Sequence, residues 1–84
     1  MSFVACLSIA IDASQLEQLN KTIRNFAEKN KGEVMGSGYD LMSGQRDYSV
    51  EFNSQQDADA FEELIKKESS FKLAFFDIAE SESK

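Results

Sequence analysis

The sequence predicts an α+β, ferredoxin-like βαββαβ sandwich: a four-stranded antiparallel sheet with two helices on one face. Three observations carry this expectation. Two segments with helical apolar spacing alternate with four strand-like segments in the order β-α-β-β-α-β. Each helix opens on its own N-terminal signal, and a Gly-containing turn joins the two middle strands. At 84 residues the chain has room for one domain with a small core, so a single domain over 1–84 is expected, its last residues, 80–84, forming a frayed acidic tail.

Residues 3–12 are apolar and β-branched. Phe3, Ala5, Leu7, Ile9 and Ile11 line one face, with Val4, Cys6, Ser8 and Ala10 on the other. Apolar or small residues on both faces predict a central strand. The run Ser14-Gln15-Leu16-Glu17 matches a capping box, in which hydroxyl and carboxylate satisfy orphan N–H groups. Leu16, Leu19, Ile23, Phe26 and Ala27 then recur at helical spacing, and Lys29 and Lys31 suit the negative helix end. Gly32 reads as the left-handed residue that stops the helix.

From residue 33 to 53 the period changes to two. Met42-Ser43-Gly44-Gln45 reads as the hairpin loop, after which Tyr48, Val50 and Phe52 alternate with Asp47, Ser49, Glu51 and Asn53. Gly36 and Gly38 weaken the preceding strand and mark a bulge, an edge or a close approach. Ser54-Gln55-Gln56-Asp57 opens the second helix, with Ala58, Phe61, Leu64 and Ile65 inward. Residues 71–79 form the last strand. It is apolar on both faces: one parity turns Phe71, Leu73 and Phe75 to the helices and Phe76 and Ile78 outward, and the other does the reverse.

Composition removes whole classes of function. There is no His, Pro or Trp and one Cys, so the commonest general base, the commonest transition-metal ligand, an internal disulfide and a CxxC knuckle are all missing. Nine Lys+Arg against 15 Asp+Glu give a net charge of −6, which disfavours binding to a phosphate backbone. The most hydrophobic stretch, residues 3–11, is too short to span a bilayer and lacks a basic n-region, so no membrane role is expected and the cytoplasm is the default compartment.

No catalytic, cofactor-binding or metal-ligating set stands out. Gly36-Ser37-Gly38-Tyr39 lacks the spacing of a phosphate loop. Asp57, Asp59, Glu62 and Glu63 spread around the second helix as a solvated face rather than a metal site. Cys6, on an apolar strand without a His to activate it, reads as a buried structural thiol. Arg46 and Asp47, just after the hairpin turn, read as a solvated hairpin end. An RNA-recognition module needs aromatic and basic residues on its central strands, and an acylphosphatase needs an Arg in the loop after the first strand; neither is present.

The sheet face opposite the helices therefore becomes the candidate site. Its expected members are Val4, Cys6, Ser8, Ala10, Asp47, Ser49 and Glu51, joined by Phe76 and Ile78 from the last strand. Apolar excess on that strand predicts docking of a protein partner or a homodimer through this face.

Residues 16–52 carry a Leu16-Glu17-Gln18-Leu19 helix opening, then Phe26-Ala27-Glu28-Lys29-Asn30 before a turn, then Gly32-Glu33-Val34 and a Gly-containing strand with Tyr39. In this stretch the chain resembles one half of the ribonuclease E inhibitor B family. The resemblance implies an acidic ferredoxin-like protein that acts by binding a protein. It does not extend to the Trp expected in the Gly-rich strand or to a long acidic tail.

The expected function is a small acidic, non-enzymatic binding or regulatory domain. The alternatives are a small-molecule sensor taking its ligand at a dimer interface, a ribonuclease-regulator-like inhibitor, and, least favoured, a small enzyme using carboxylates with Arg46 or Arg24.

Overall fold

The computed structural model describes residues 2–40, 42–68 and 71–81. The elements are β1 (Ser2–Ala10), a short 3-10 turn (Ala13–Gln15), α1 (Leu16–Lys29), β2 (Glu33–Asp40), β3 (Gln45–Phe52), α2 (Gln55–Lys67) and β4 (Lys72–Ser81). The four strands form one antiparallel sheet in the order β2-β3-β1-β4, with both helices on one face. This is the ferredoxin-like α+β sandwich.

β1 sits centrally because both of its faces are usable. Ala5, Leu7 and Ile9 are buried under the helices, while Val4, Cys6 and Ser8 are small enough to leave the other face flat. Its partners Tyr48, Val50 and Phe52 on β3 are buried as well. Onto this floor α1 sets Leu19, Ile23 and Ala27, and α2 sets Ala58, Phe61 and Ile65. These are the i, i+4 and i, i+3, i+7 positions that share one helical stripe. The aromatic centre links Phe52 to Phe61 at 5.1 Å and Phe61 to Phe76 at 6.1 Å between ring centroids. Burying a ring such as that of Phe61 contributes about 1.5–3 kcal/mol.

The helix signals hold for α2 and shift for α1. Ser54 Oγ accepts from the Asp57 N–H at 3.2 Å, as its cap motif predicts. At α1 the Ser14–Glu17 box does not form. The chain turns two residues earlier, where the Asp12 N–H donates to Gln15 Oε1 and the Gln15 N–H donates to the Asp12 carbonyl. Asp12 and Gln15 have the same three-residue spacing as the expected pair, and they act before the 3-10 turn.

The end of α1 also departs from expectation. Lys31, not Gly32, takes the left-handed backbone, at φ 61°. Its N–H donates to the Glu28 carbonyl, and the Gly32 N–H donates to the Ala27 carbonyl at 2.7 Å. These two bonds make a Schellman motif with Gly32 one residue beyond the left-handed position. Gly32 is required there because a Cβ would run into the Phe52 ring, 2.7 Å from Cδ1 and 2.8 Å from Cζ.

The two edge strands each carry a bulge. On β2 the register shifts between Val34 and Gly36, so Met35 is the extra residue. Nothing approaches Gly36 or Gly38 from the side a Cβ would occupy, so neither marks a close contact. On β4 the register shifts opposite Ser8 and Ile9, which makes Ala74 the extra residue. Of the expected frayed tail at 80–84, Glu80 and Ser81 continue β4, and 82–84 lie outside the described residues.

Candidate interaction face

The face away from the helices is built row by row across β2, β3, β1 and β4, because directly paired residues of antiparallel strands point the same way. One end row holds Asp40, Gln45, Ala10 and Lys72. The next holds Gly38, Asp47, Ser8 and Phe75, and the third Gly36, Ser49, Cys6 and Asp77. The last holds Glu33, Glu51, Val4 and Ala79. Val4, Cys6, Ser8, Ala10, Asp47, Ser49 and Glu51 thus share the face on which the sequence places them.

Phe76 and Ile78 do not. They pair with Leu7 and Ala5 and pack against the core, as do Phe71 and Leu73. The Ala74 bulge produces this outcome: one extra residue flips the strand's parity, so apolar residues on both sides of it reach the helices. The aromatic left on the open face is Phe75, 55% exposed and opposite Ser8. The signal was the spacing itself, since Leu73 and Phe76 lie three apart and no regular strand buries both.

Polar contacts on the face are few. Ser8 Oγ donates to Asp47 Oδ1 at 2.5 Å, and Cys6 Sγ lies 4.0 Å from Ser49 Oγ. Cys6 is free and exposed, not buried as its apolar strand suggests, because its neighbours Ser49 and Asp77 are too small to cover it. Where Gly36 and Gly38 stand opposite Ser49 and Asp47, a shallow depression of about 230 Å³ opens. At the hairpin, Asp40 Oδ1 accepts from the Met42 N–H at 2.9 Å. This bond, with others from Ser43, holds the Asp40 carboxyl below its ordinary pKa.

Arg46 belongs to the other side of the sheet. It stands opposite Ile9, and its Nη2 donates to Asn20 Oδ1 of α1 at 3.1 Å and to Ser37 Oγ of β2 at 2.9 Å. Its Cζ lies 5.1 Å from the centroid of the Tyr48 ring, whose hydroxyl also donates to Asn20 Oδ1. The guanidinium is thus drawn inward to clamp α1 to the sheet, instead of ending as a solvated hairpin tip. Burial raises the Tyr48 pKa, and the nearby Arg46 charge opposes that rise. Beside this cluster an open groove of about 450 Å³ runs between α1 and β2, with Arg24, Glu28, Val34, Met35 and Ser37 among its lining.

Among the described residues no group of three or more His, Cys, Asp or Glu is placed to hold a metal ion, and no helix is long and apolar enough to cross a membrane.

No model of a known protein family matches the chain, and no curated protein matches it. Solved structures do. Formyltetrahydrofolate deformylase from Burkholderia mallei superposes with TM-score 0.61 at 18% identity, over 95% of this chain and 28% of the deformylase. The chain therefore spans little more than a quarter of that protein. Rv0793 from Mycobacterium tuberculosis gives TM-score 0.60 at 6% identity, over 100% of this chain and 98% of its own. A NIPSNAP-like domain protein from Burkholderia xenovorans gives 0.51 at 11% identity, over 93% and 81%. At these identities the likeness is one of fold.

Proposed function

We propose that the chain is a non-enzymatic binding or regulatory domain that docks a protein through its open sheet face. The observation that supports this most directly is Phe75, 55% exposed on a face that none of the described elements covers. Covering such a ring recovers part of the roughly 1.5–3 kcal/mol that burial of a phenylalanine is worth. Four strands about 4.8 Å apart and about 27 Å long present roughly 500 Å² in projection, approaching the ~800 Å² that one partner contributes to a stable interface. The resemblance of residues 16–52 to the ribonuclease E inhibitor B family supports the same class of function.

Cys6 reports on this directly, since it lies two residues from Ser8 in the middle of the face. A maleimide should label Cys6 fast in the purified chain and more slowly in a gentle native extract of the source cells. Denaturing the extract should restore full labelling. Equal rates in extract and purified protein contradict the proposal.

The groove between α1 and β2 favours a second reading, that of a small-molecule sensor. Its volume of about 450 Å³ falls within the ~300–1,000 Å³ of ligand pockets, and its rim offers Arg24, Glu28 and Ser37. Its walls are open and polar, which ranks this reading below the first. A metabolite screen by thermal shift, repeated on Arg24→Ala, separates the two.

A further inference from the structure

We infer that the occupant of the open face is a cationic protein surface, with Arg or Lys side chains around an apolar centre, rather than a second copy of this chain. The inference rests on the docking reading above and adds the chemistry of the partner.

The open face is one-sided in charge, whereas the helix layer mixes both signs, with Glu17, Glu28, Asp57, Asp59, Glu62 and Glu63 beside its Lys and Arg residues. Glu33, Asp40, Asp47, Glu51 and Asp77 stand on the open face around Val4, Cys6, Ser8, Phe75 and Ala79. Among the described Lys and Arg residues, Lys72 alone shares that face, at its end beside Ala10. Lys21, Arg24, Lys29 and Lys31 are exposed on and just after α1, in the opposite layer. None of the five carboxylates has an ion-pair partner among the described residues. Glu33 and Glu51 are direct cross-strand partners, an arrangement of like charges that disfavours the isolated sheet and that a cation between them relieves.

A second copy stacked on this face brings the same five carboxylates and one lysine. Packed sheets lie about 10 Å apart with their side chains interdigitating, so facing carboxylates would meet within the Debye length of about 8 Å, in a contact that excludes salt and screens them little. A cationic surface turns the carboxylate contacts from repulsion to attraction, with Lys72 at the end of the face as the exception. It still leaves Phe75 a flat, small-residue floor on which to bury its ring.

The test is an amide-resolved NMR titration of the full chain with a ten-residue peptide of alternating Arg and Leu, alongside one of alternating Glu and Leu. The Arg peptide should move amides of β1, β3 and β4, bind at least tenfold more weakly at 500 mM than at 50 mM salt, and lose that binding in the triple variant D47N/E51Q/D77N. The Glu peptide should move none of them. Light scattering should give a monomer at all salt concentrations, and circular dichroism should show the triple variant folded. A dimer in which Cys6 is protected overturns the inference and leaves the docking face standing, with a second copy as occupant. Open-ended assembly through α1 overturns it in the same way. Shifts confined to the exposed acids of α2, Asp59 and Glu63, with Cys6 unprotected in extract, overturn both the inference and the docking reading.

Discussion

Phe75 and Phe76 are neighbours in the chain and lie on opposite faces of the sheet. Phe76 stands opposite Leu7 and stacks near Phe61 at 6.1 Å, while Phe75 stands opposite Ser8 and is 55% exposed. Their stability costs should therefore separate. Phe76→Ala removes a ring packed on the core and should cost about 2–3 kcal/mol by urea unfolding. Phe75→Ala should change stability by no more than about 0.5 kcal/mol while weakening partner docking. Equal losses at the two positions contradict the assigned parity of β4.

That parity marks where sequence reading stops. The period of each segment, the cap at Ser54 and the central place of β1 are local or compositional signals, and they were legible. The Ala74 bulge was not, because a bulge is a property of pairing: whether one residue is skipped depends on what the neighbouring strand offers. Strict alternation offers two parities, and the candidate face took the one with Phe76 and Ile78 outward; neither parity buries Phe71, Leu73, Phe76 and Ile78 together, as the bulged strand does. Cys6 was misjudged for a related reason, since exposure on a sheet face is set by cross-strand neighbours forty and more residues away. Seven of the nine residues expected on the face do share it, because β1 and β3 pair without interruption.

The end of α1 separates two roles that sequence reading assigns to one glycine. Lys31 carries the positive φ, and Gly32 makes room for Phe52. Lys31→Gly should stabilise the protein by about 0.5–1 kcal/mol, because glycine enters the left-handed region without a Cβ penalty. Gly32→Ala should destabilise it by about 1–3 kcal/mol, because Phe52 is buried and has nowhere to move. Thermal unfolding of the two variants tests the pair, and a loss of stability in Lys31→Gly contradicts this division.

Arg46, Asn20, Tyr48 and Ser37 tie α1 to β2 and β3 through one guanidinium. Asn20→Ala removes the acceptor shared by Arg46 and Tyr48 and should cost about 1–2 kcal/mol. Tyr48→Phe leaves Asn20 still bonded to Arg46 and should cost no more than about 1 kcal/mol. Hydrogen exchange should show the amides of α1 loosened more by the first change than by the second.

The two shifted groups act at opposite ends of the pH scale. Tyr48 has its pKa raised above the ordinary value of 10.0 by burial, so the stability linked to its neutral form is present below pH 10 and is lost as pH rises through the folded value. Asp40 has its pKa lowered by the Met42 and Ser43 hydrogen bonds. Its contribution is present above the ordinary 3.8 and is lost as pH falls through the folded value. Melting temperatures should fall less steeply above pH 10 in Tyr48→Phe than in the parent chain, and less steeply in acid in Asp40→Asn.

The central claim is that the open sheet face is covered by a cationic protein. Photo-crosslinking in the source cells tests it most directly, with p-benzoylphenylalanine placed at position 75 and, as a control, at position 63 on the outer face of α2. The account predicts an adduct from position 75 to a different protein, absent from position 63, with a Lys- or Arg-bearing surface at the joined peptide. No adduct from position 75, or adducts equally abundant from both positions, contradicts it.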